Sequence, residues 1–228
     1  MAIKLAVFDM AGTTVEDKDF VADALVKAFE KHELFISHKH ANTKMGIPKP
    51  IAIRQLLDEI FEETPENVDE LVTAIYNDFN QKMIDFYKTH PSVKGKVNAV
   101  RTMLALKHAG VKVALDTGFS RNIAQAIIER LGWDVQQVID FYVASDEVEN
   151  GRPHPDLILK AMQMAEITDP SEVAKIGDTE SDLEEGTAAG CKYVIGVTTG
   201  AQPRSVLEKA KHTHLVEDLY EVVSIVLN

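Results

Sequence analysis

The chain has 228 residues, 45% of them hydrophobic, enough for one large domain or for a core plus a smaller one. Its 24 basic and 36 acidic residues leave a net charge of −12, which argues against nonspecific nucleic-acid binding and against an anionic membrane surface. A single cysteine, Cys191, excludes an intramolecular disulfide; no apolar run approaches about 18 residues and Met-Ala-Ile-Lys-Leu has no signal-peptide layout, so a soluble cytoplasmic protein is expected.

Residues 3–8, Ile-Lys-Leu-Ala-Val-Phe, read as a buried strand that runs into Asp9. A carboxylate there stands at the carboxyl edge of a sheet, where open α/β sheets bind ligands. Gly12 allows a tight turn, and Thr13 and Thr14 supply hydroxyls or a helix cap. The pattern then turns helical for about 80 residues. Phe20, Ala24, Val26, Ala28 and Phe29 mark a first helix that ends near His32. Residues 34–50 are expected to be irregular, broken by Gly46, Pro48 and Pro50. Ile51, Ile53, Leu56, Leu57 and Ile60 mark a second helix, and Pro65 is expected to open a third. The third carries Val68, Leu71, Val72, Ile75, Phe79, Met83 and Phe86 at helical spacing, a core stripe.

Pro91 and Gly95 end this block. Beyond them, helical patterns over residues 100–106, 123–131, 157–164, 183–189, 206–210 and 219–227 alternate with strand patterns. The strands fall at residues 111–115, 138–143, 173–176 and 193–197. Such alternation builds a parallel sheet with right-handed crossovers. The expected fold is α/β, a doubly wound, Rossmann-like parallel sheet from residues 1–15 and 95–228. Residues 16–94 form a helical cap inserted over the edge that carries Asp9.

Further strands also end in polar sites: Asp116-Thr117-Gly118 after one, Gly177-Asp178-Thr179-Glu180-Ser181-Asp182 after another, with Gly151-Arg152-Pro153 between. Taken singly, Thr117 reads as a helix cap, Asp178 and Asp182 as acids at a helix N-terminus, and Arg152 as a loop charge. Taken together with Asp9, the parallel sheet brings them to one edge, so carboxylates, a hydroxyl and a cation can converge.

This combination resembles the haloacid dehalogenase superfamily along the whole chain, through Asp-Met-Ala-Gly-Thr at Asp9, Thr117, Arg152 before a proline, and Gly177-Asp178-Thr179 with Asp182. The resemblance implies an Asp9 nucleophile that forms an aspartyl-phosphate. It implies Mg²⁺ on Asp9, Asp178 and the carbonyl of Ala11, with Asp182 in support. Thr117 and Arg152 would hold phosphoryl oxygens, and Ala11, Met45 and Gly118 would complete the substrate-binding set. Hard carboxylate and carbonyl oxygens suit Mg²⁺, and phosphoryl transfer depends on charge neutralisation and in-line positioning.

Two departures narrow the resemblance. Ala11 stands where most of these phosphatases carry a second aspartate, and Arg152 stands for the usual lysine. Both are similar to the phosphonoacetaldehyde hydrolases. The segment Met45-Gly46-Ile47-Pro48-Lys49 resembles that family's Met-Gly-x-x-Lys, whose lysine forms an imine (Schiff base) with the substrate aldehyde. An enamine leaving group does not require the missing aspartate. The histidine that follows the family's lysine by three residues is Ala52 here, with His38 and His40 as possible substitutes.

Between residues 34 and 57 there is no acidic residue, but there are Lys39, Lys44, Lys49 and Arg54, with His38 and His40. This basic run reads either as a solvated loop or as a lid that attracts an anionic substrate. The expectation is that its cations lower the pKa of Lys49. A free lysine is only about one part in a few thousand neutral at pH 7. The partner implied is a small anionic phospho or phosphono metabolite, and the resemblance also implies a homodimer. The alternatives are a phosphatase acting on a small phosphate ester, and a low-turnover phosphate-binding or regulatory protein.

Overall fold

A computed structural model describes residues 2–228. Every residue of the first strand, β1 (Leu5–Asp9), is buried, as a central parallel strand covered on both faces must be. Its alternation serves two cores. Leu5 and Val7 face one core, and Ala6 and Phe8 face the other, larger one. The remaining strands are β2 (Lys112–Thr117), β3 (Phe141–Ala144), β4 (Val173–Gly177), β5 (Tyr193–Val197) and β6 (His214–Val216). All pair in parallel in the order β3-β2-β1-β4-β5-β6. The order reverses beside β1, and ligands bind in such sheets at that crevice, outside the carboxyl ends.

Four helices lie between β1 and β2 ahead of the first core helix: α1 (Phe20–Glu30), α2 (His38–Thr43), α3 (Lys49–Ile60) and α4 (Val68–Thr89). The core helices are α5 (Ala99–His108), α6 (Arg121–Leu131), α7 (Asp156–Ala165), α8 (Glu180–Ala189), α9 (Arg204–Leu207) and α10 (Glu221–Leu227). Helices α7 and α8 cover one face of the sheet; α5, with α10 beside it, covers the other, where α6 also packs on β3. The long α4 packs on α1, α3 and α6, so the inserted helices are seated on the core. The chain leaves and re-enters the core through two paired segments. Glu16 N–H donates to the Lys94 carbonyl, and Lys96 N–H donates to the Thr14 carbonyl. No helix among the described residues is long and apolar enough to cross a membrane.

Several expectations need correction. Residues 34–50 are not wholly irregular: α2 forms there, capped by Ser37, whose Oγ accepts from His40 N–H. Its only buried residue is Ala41, so it shows no apolar period. Pro65 does not open α4; it sits in the turn before it, its carbonyl accepting from Val68 N–H. Pro50 does not break the chain. It sits in the first turn of α3, where a proline costs no hydrogen bond, so Lys49 opens that helix. The third strand begins at Phe141 rather than Val138, α9 begins at Arg204, and β6 is an additional strand too short to show a period.

Candidate active site

Asp9 ends β1 beside Asp116 of β2, its register partner, and Phe8 pairs with Ile176 just before Asp178. The turn after Asp9 depends on Gly12, whose φ of +95° disfavours any side chain. A Cβ there would lie 2.1 Å from Asp178 Oδ2. The glycine therefore lets the β1 loop close on Asp178. Thr13 Oγ1 donates to Asp178 Oδ1 at 2.7 Å, and Ala201 N–H donates to Oδ2 at 2.6 Å. Asp182 belongs to the first turn of α8; its Oδ2 accepts from Thr179 N–H and from Thr179 Oγ1, closing that helix's cap.

Arg152 is buried and gathers the acids. Its Nη1 donates to Asp9 Oδ1 at 2.6 Å, Nη2 to Asp116 Oδ1 at 2.5 Å and Nε to Glu185 Oε2 at 2.9 Å. Nη1 also lies 2.8 Å from Asp182 Oδ1. Burial works against this charge, but Asp116, Asp182, Asp9 and Glu185 more than offset it and hold the guanidinium charged. A second buried cation, Lys175, reaches Asp116 at 2.6 Å, Glu185 at 2.8 Å and Asp182 at 3.2 Å.

The acids divide by environment. Burial pushes Asp9 well above the usual carboxylate range; Arg152 opposes the shift, while Asp182 and Asp178 add to it. Burial, with Asp182, pushes Asp178 up to about 6. Burial, with Asp116, pushes Glu185 up to about 8. Asp116 goes the other way: despite its burial, Arg152 and Lys175 hold it below the usual range.

Carboxylate oxygens of Asp9, Asp178 and Asp182 all lie within 4.8 Å of one another. Asp9, Asp116, Asp178, Asp182 and Glu185 are five buried acids set against three buried cations, Arg152, Lys175 and Lys49. The clustered carboxylate oxygens of Asp9, Asp178 and Asp182 fit a hard divalent cation such as Mg²⁺. Asp182 is the least free of the three, since Thr179, Arg152 and Lys175 already engage it.

The inserted helices close over this edge. Gly46 has φ +84°, and a Cβ on it would lie 2.4 Å from Thr179 Oγ1. Gly118 faces the carbonyls of Gly46 and Ile47, and Gly151 faces the Pro48 ring. The segment from Met45 to Lys49 thus lies directly on the loops after β2, β3 and β4. Between them is a small cavity of about 40 Å³, lined by residues that include Asp9, Ala11, Asp17, Met45, Lys49, Thr117, Gly118, Arg152 and Asp182. Thr117 Oγ1 accepts from Phe119 N–H, which leaves its own proton to donate.

Lys49 is 4% exposed, and among the described residues its Nζ donates only a long 3.5 Å hydrogen bond, to the Ile47 carbonyl. Burial pushes its ammonium down to about 8; Asp17 and Asp9 oppose the shift, and Arg152 assists it. The expected role of the basic run is therefore overturned. Lys44 pairs with Glu59, Arg54 with Asp58 and Asp69, and Lys39 is exposed. Their charges are spent at the surface, and desolvation does the work assigned to them. The histidines do not substitute for the one replaced by buried Ala52. His38 pairs with Asp23 in an exposed position, His40 is exposed, and neither lines the cavity.

The structure brings Asp9, Ala11, Met45, Lys49, Thr117, Gly118, Arg152 and Asp182 to one cavity, with Asp178 directly behind Gly12. Sequence reasoning missed Asp17, Lys175 and Glu185, and passed over Asp116 as a strand end. Lys175 carried a signal, being a charge within the apolar strand Val-Ala-Lys-Ile. Glu185 lies three residues after Asp182 on the same helix face.

A wholly parallel sheet with acids gathered at the ends of its switch-point strands defines an α/β enzyme core. The family model for haloacid dehalogenase-like hydrolases matches residues 6–197, and the chain belongs to that family. Phosphonoacetaldehyde hydrolase of Bacillus cereus is 27% identical over 239 aligned positions, covering 100% of this chain and 88% of the relative. A phosphonoacetaldehyde hydrolase like protein from Oleispira antarctica superposes with a TM-score of 0.83 at 19% identity, covering 99% of this chain and 93% of that one. CbbY from Rhodobacter sphaeroides, solved in complex with phosphate, superposes with a TM-score of 0.80 at 16% identity, covering 96% of each chain. At these identities the solved structures speak to the fold.

Proposed function

We propose that the protein cleaves the carbon–phosphorus bond of a small phosphonate bearing an aldehyde, phosphonoacetaldehyde or a near analogue. The observation that carries this reading is Lys49, a buried lysine with its pKa pushed down to about 8 in the same small cavity as Asp9. At that value roughly a tenth of it is neutral at pH 7. Nucleophilic lysines are activated by such desolvation.

The neutral Lys49 amine adds to the aldehyde carbon, and with the uptake of one proton water leaves, giving an iminium. Asp9 attacks phosphorus as the carbon–phosphorus bond breaks. The bonding pair flows into the iminium, so the organic fragment departs as an enamine and no bare carbanion forms. Ala11 is consistent with this, because an enamine needs no acid at that position. Water then hydrolyses the aspartyl-phosphate, and the enamine is protonated and hydrolysed from Lys49. Arg152 orients Asp9 through the 2.6 Å bond and retains an Nη2 proton for a phosphoryl oxygen, as Thr117 does with its hydroxyl. When bound, Mg²⁺ on Asp9, Asp178 and the Ala11 carbonyl, with Asp182 in support, would supply charge neutralisation for the phosphoryl oxygens.

Borohydride added during turnover of phosphonoacetaldehyde is expected to inactivate the protein and leave a mass adduct on Lys49. Lys49→Arg is expected to resist trapping and to lose carbon–phosphorus cleavage. Ala52 favours a second reading, hydrolysis of a small phosphate ester, because no imidazole among the described residues lines the cavity with Lys49. Absence of an adduct, with ester turnover intact in Lys49→Arg, would select that reading.

A further inference from the structure

Imine formation moves protons twice. The entering ammonium must lose one, and the carbinolamine hydroxyl must gain one before it leaves as water. No histidine, tyrosine or cysteine lines the cavity among the described residues. Its acids are Asp9, Asp17 and Asp182. Asp9 is bound by Arg152 and faces phosphorus in the proposed reaction, and Asp182 is engaged by Thr179, Arg152 and Lys175. Asp17 is left.

The side chain of Asp17 is fixed by the helix it caps. Its Oδ1 accepts from Phe20 N–H at 2.8 Å and Val21 N–H at 3.4 Å, at the start of α1. Its other oxygen takes no hydrogen bond from any described residue. A carboxylate anchored by one oxygen, with the second free, is placed to exchange a proton across the cavity it lines.

We propose that Asp17 is the proton-transfer partner of Lys49, an inference that rests on the imine reading above. Asp17 takes a proton from the Lys49 ammonium, and the neutral amine adds to the aldehyde carbon, its surplus proton passing to the new alkoxide. The acid then protonates the carbinolamine hydroxyl. The carbon–oxygen bond breaks, water leaves, and the nitrogen lone pair closes the iminium while Asp17 returns to its carboxylate. Ammonium and aldehyde become iminium and water, and charge balances. The electrostatics agree: burial raises Asp17 and lowers Lys49, bringing the two proton affinities toward each other, and Asp17 is the strongest attraction that Lys49 feels.

Asp17→Asn and Asp17→Ser separate this role from helix capping, since both side chains still cap α1 but neither exchanges a proton at neutral pH. The readout is the rate at which borohydride traps the Lys49 adduct from phosphonoacetaldehyde, with thermal unfolding as the check on folding. Both variants should unfold near the wild-type temperature and trap about 10²–10⁴-fold more slowly, the usual worth of general acid–base catalysis. Trapping at the wild-type rate in either folded variant would reduce Asp17 to a cap and leave the imine reading intact. No adduct in the wild-type protein would remove the imine reading and this inference together.

Discussion

Lys49 shows how one residue carries both a cost and a function. Its folded pKa of about 8 lies below its ordinary value of 10.5, chiefly through burial. Below about pH 8 the ammonium is charged in both the folded and unfolded chain, so the full burial penalty is present. As pH rises toward the unfolded value, the folded state loses its proton first and the penalty fades. Lys49→Met, similar in length and uncharged, is therefore expected to stabilise the fold at pH 7 by up to about 3 kcal/mol, since each tenfold loss of proton affinity costs about 1.4 kcal/mol. The gain should shrink as pH climbs from about 8 to about 10.5. Urea denaturation at both ends of that range measures it; a variant less stable than wild type at pH 7 would mean that Asp17 and Asp9 outweigh desolvation. Nearby, Arg152 and Lys175 hold Asp116 ionised while Glu185 is pushed up to about 8, so neighbouring acids in one cluster differ in protonation.

At the scale of elements, the site is built by short segments that approach backbone to side chain. The segment before α3 touches the loop that leads into α8 at Gly46, where φ is +84° and Thr179 Oγ1 would lie 2.4 Å from an added Cβ. Gly46→Ala is therefore strained twice, in its own backbone and against the cap of α8. Thr179 is held by Asp182, so it cannot yield freely. The expected outcome is a folded protein whose inserted segment no longer seats fully, with KM raised about tenfold or more, an effect of roughly 1.4 kcal/mol or greater. Steady-state kinetics alongside circular dichroism tests this; unchanged KM would show that the segment closes without that contact.

Across the whole molecule, one buried acidic cluster lies at the switch point between β1 and β4, roofed by the inserted helices. Carboxylate oxygens of Asp9, Asp178 and Asp182 lie within 4.8 Å of one another, and their mutual repulsion is a cost borne by the folded state alone. A divalent cation that binds only the folded chain stabilises it by mass action, about 2.7 kcal/mol at a hundredfold excess over Kd. Mg²⁺ is therefore expected to raise the unfolding temperature by several degrees, and Asp178→Ala to lose most of that rise. Below about pH 6 the response should weaken, because a proton competes with the cation at Asp178. Calorimetry over a Mg²⁺ series checks both. An equal rise in wild type and Asp178→Ala would move the cation elsewhere.

By itself the sequence determined the strand-and-helix alternation, the parallel sheet, and the strand ends that carry Asp9, Thr117, Arg152 and Asp178. Periodicity and turn chemistry are local, and a parallel sheet sends every strand end to the same edge, so these features follow without coordinates. The sequence also contained Lys49, but assigned its activation to the wrong neighbours. Lys39, Lys44 and Arg54 are close in the chain, yet they are exposed or paired with acids at the surface. Desolvation is a property of packing, and only the seating of the Met45–Lys49 segment on the core buries that lysine. The same holds for Lys175, Glu185 and Asp17. Each looks like an ordinary charge in its own stretch of chain, and its role depends on which distant groups the fold sets against it in a medium too dry to screen them.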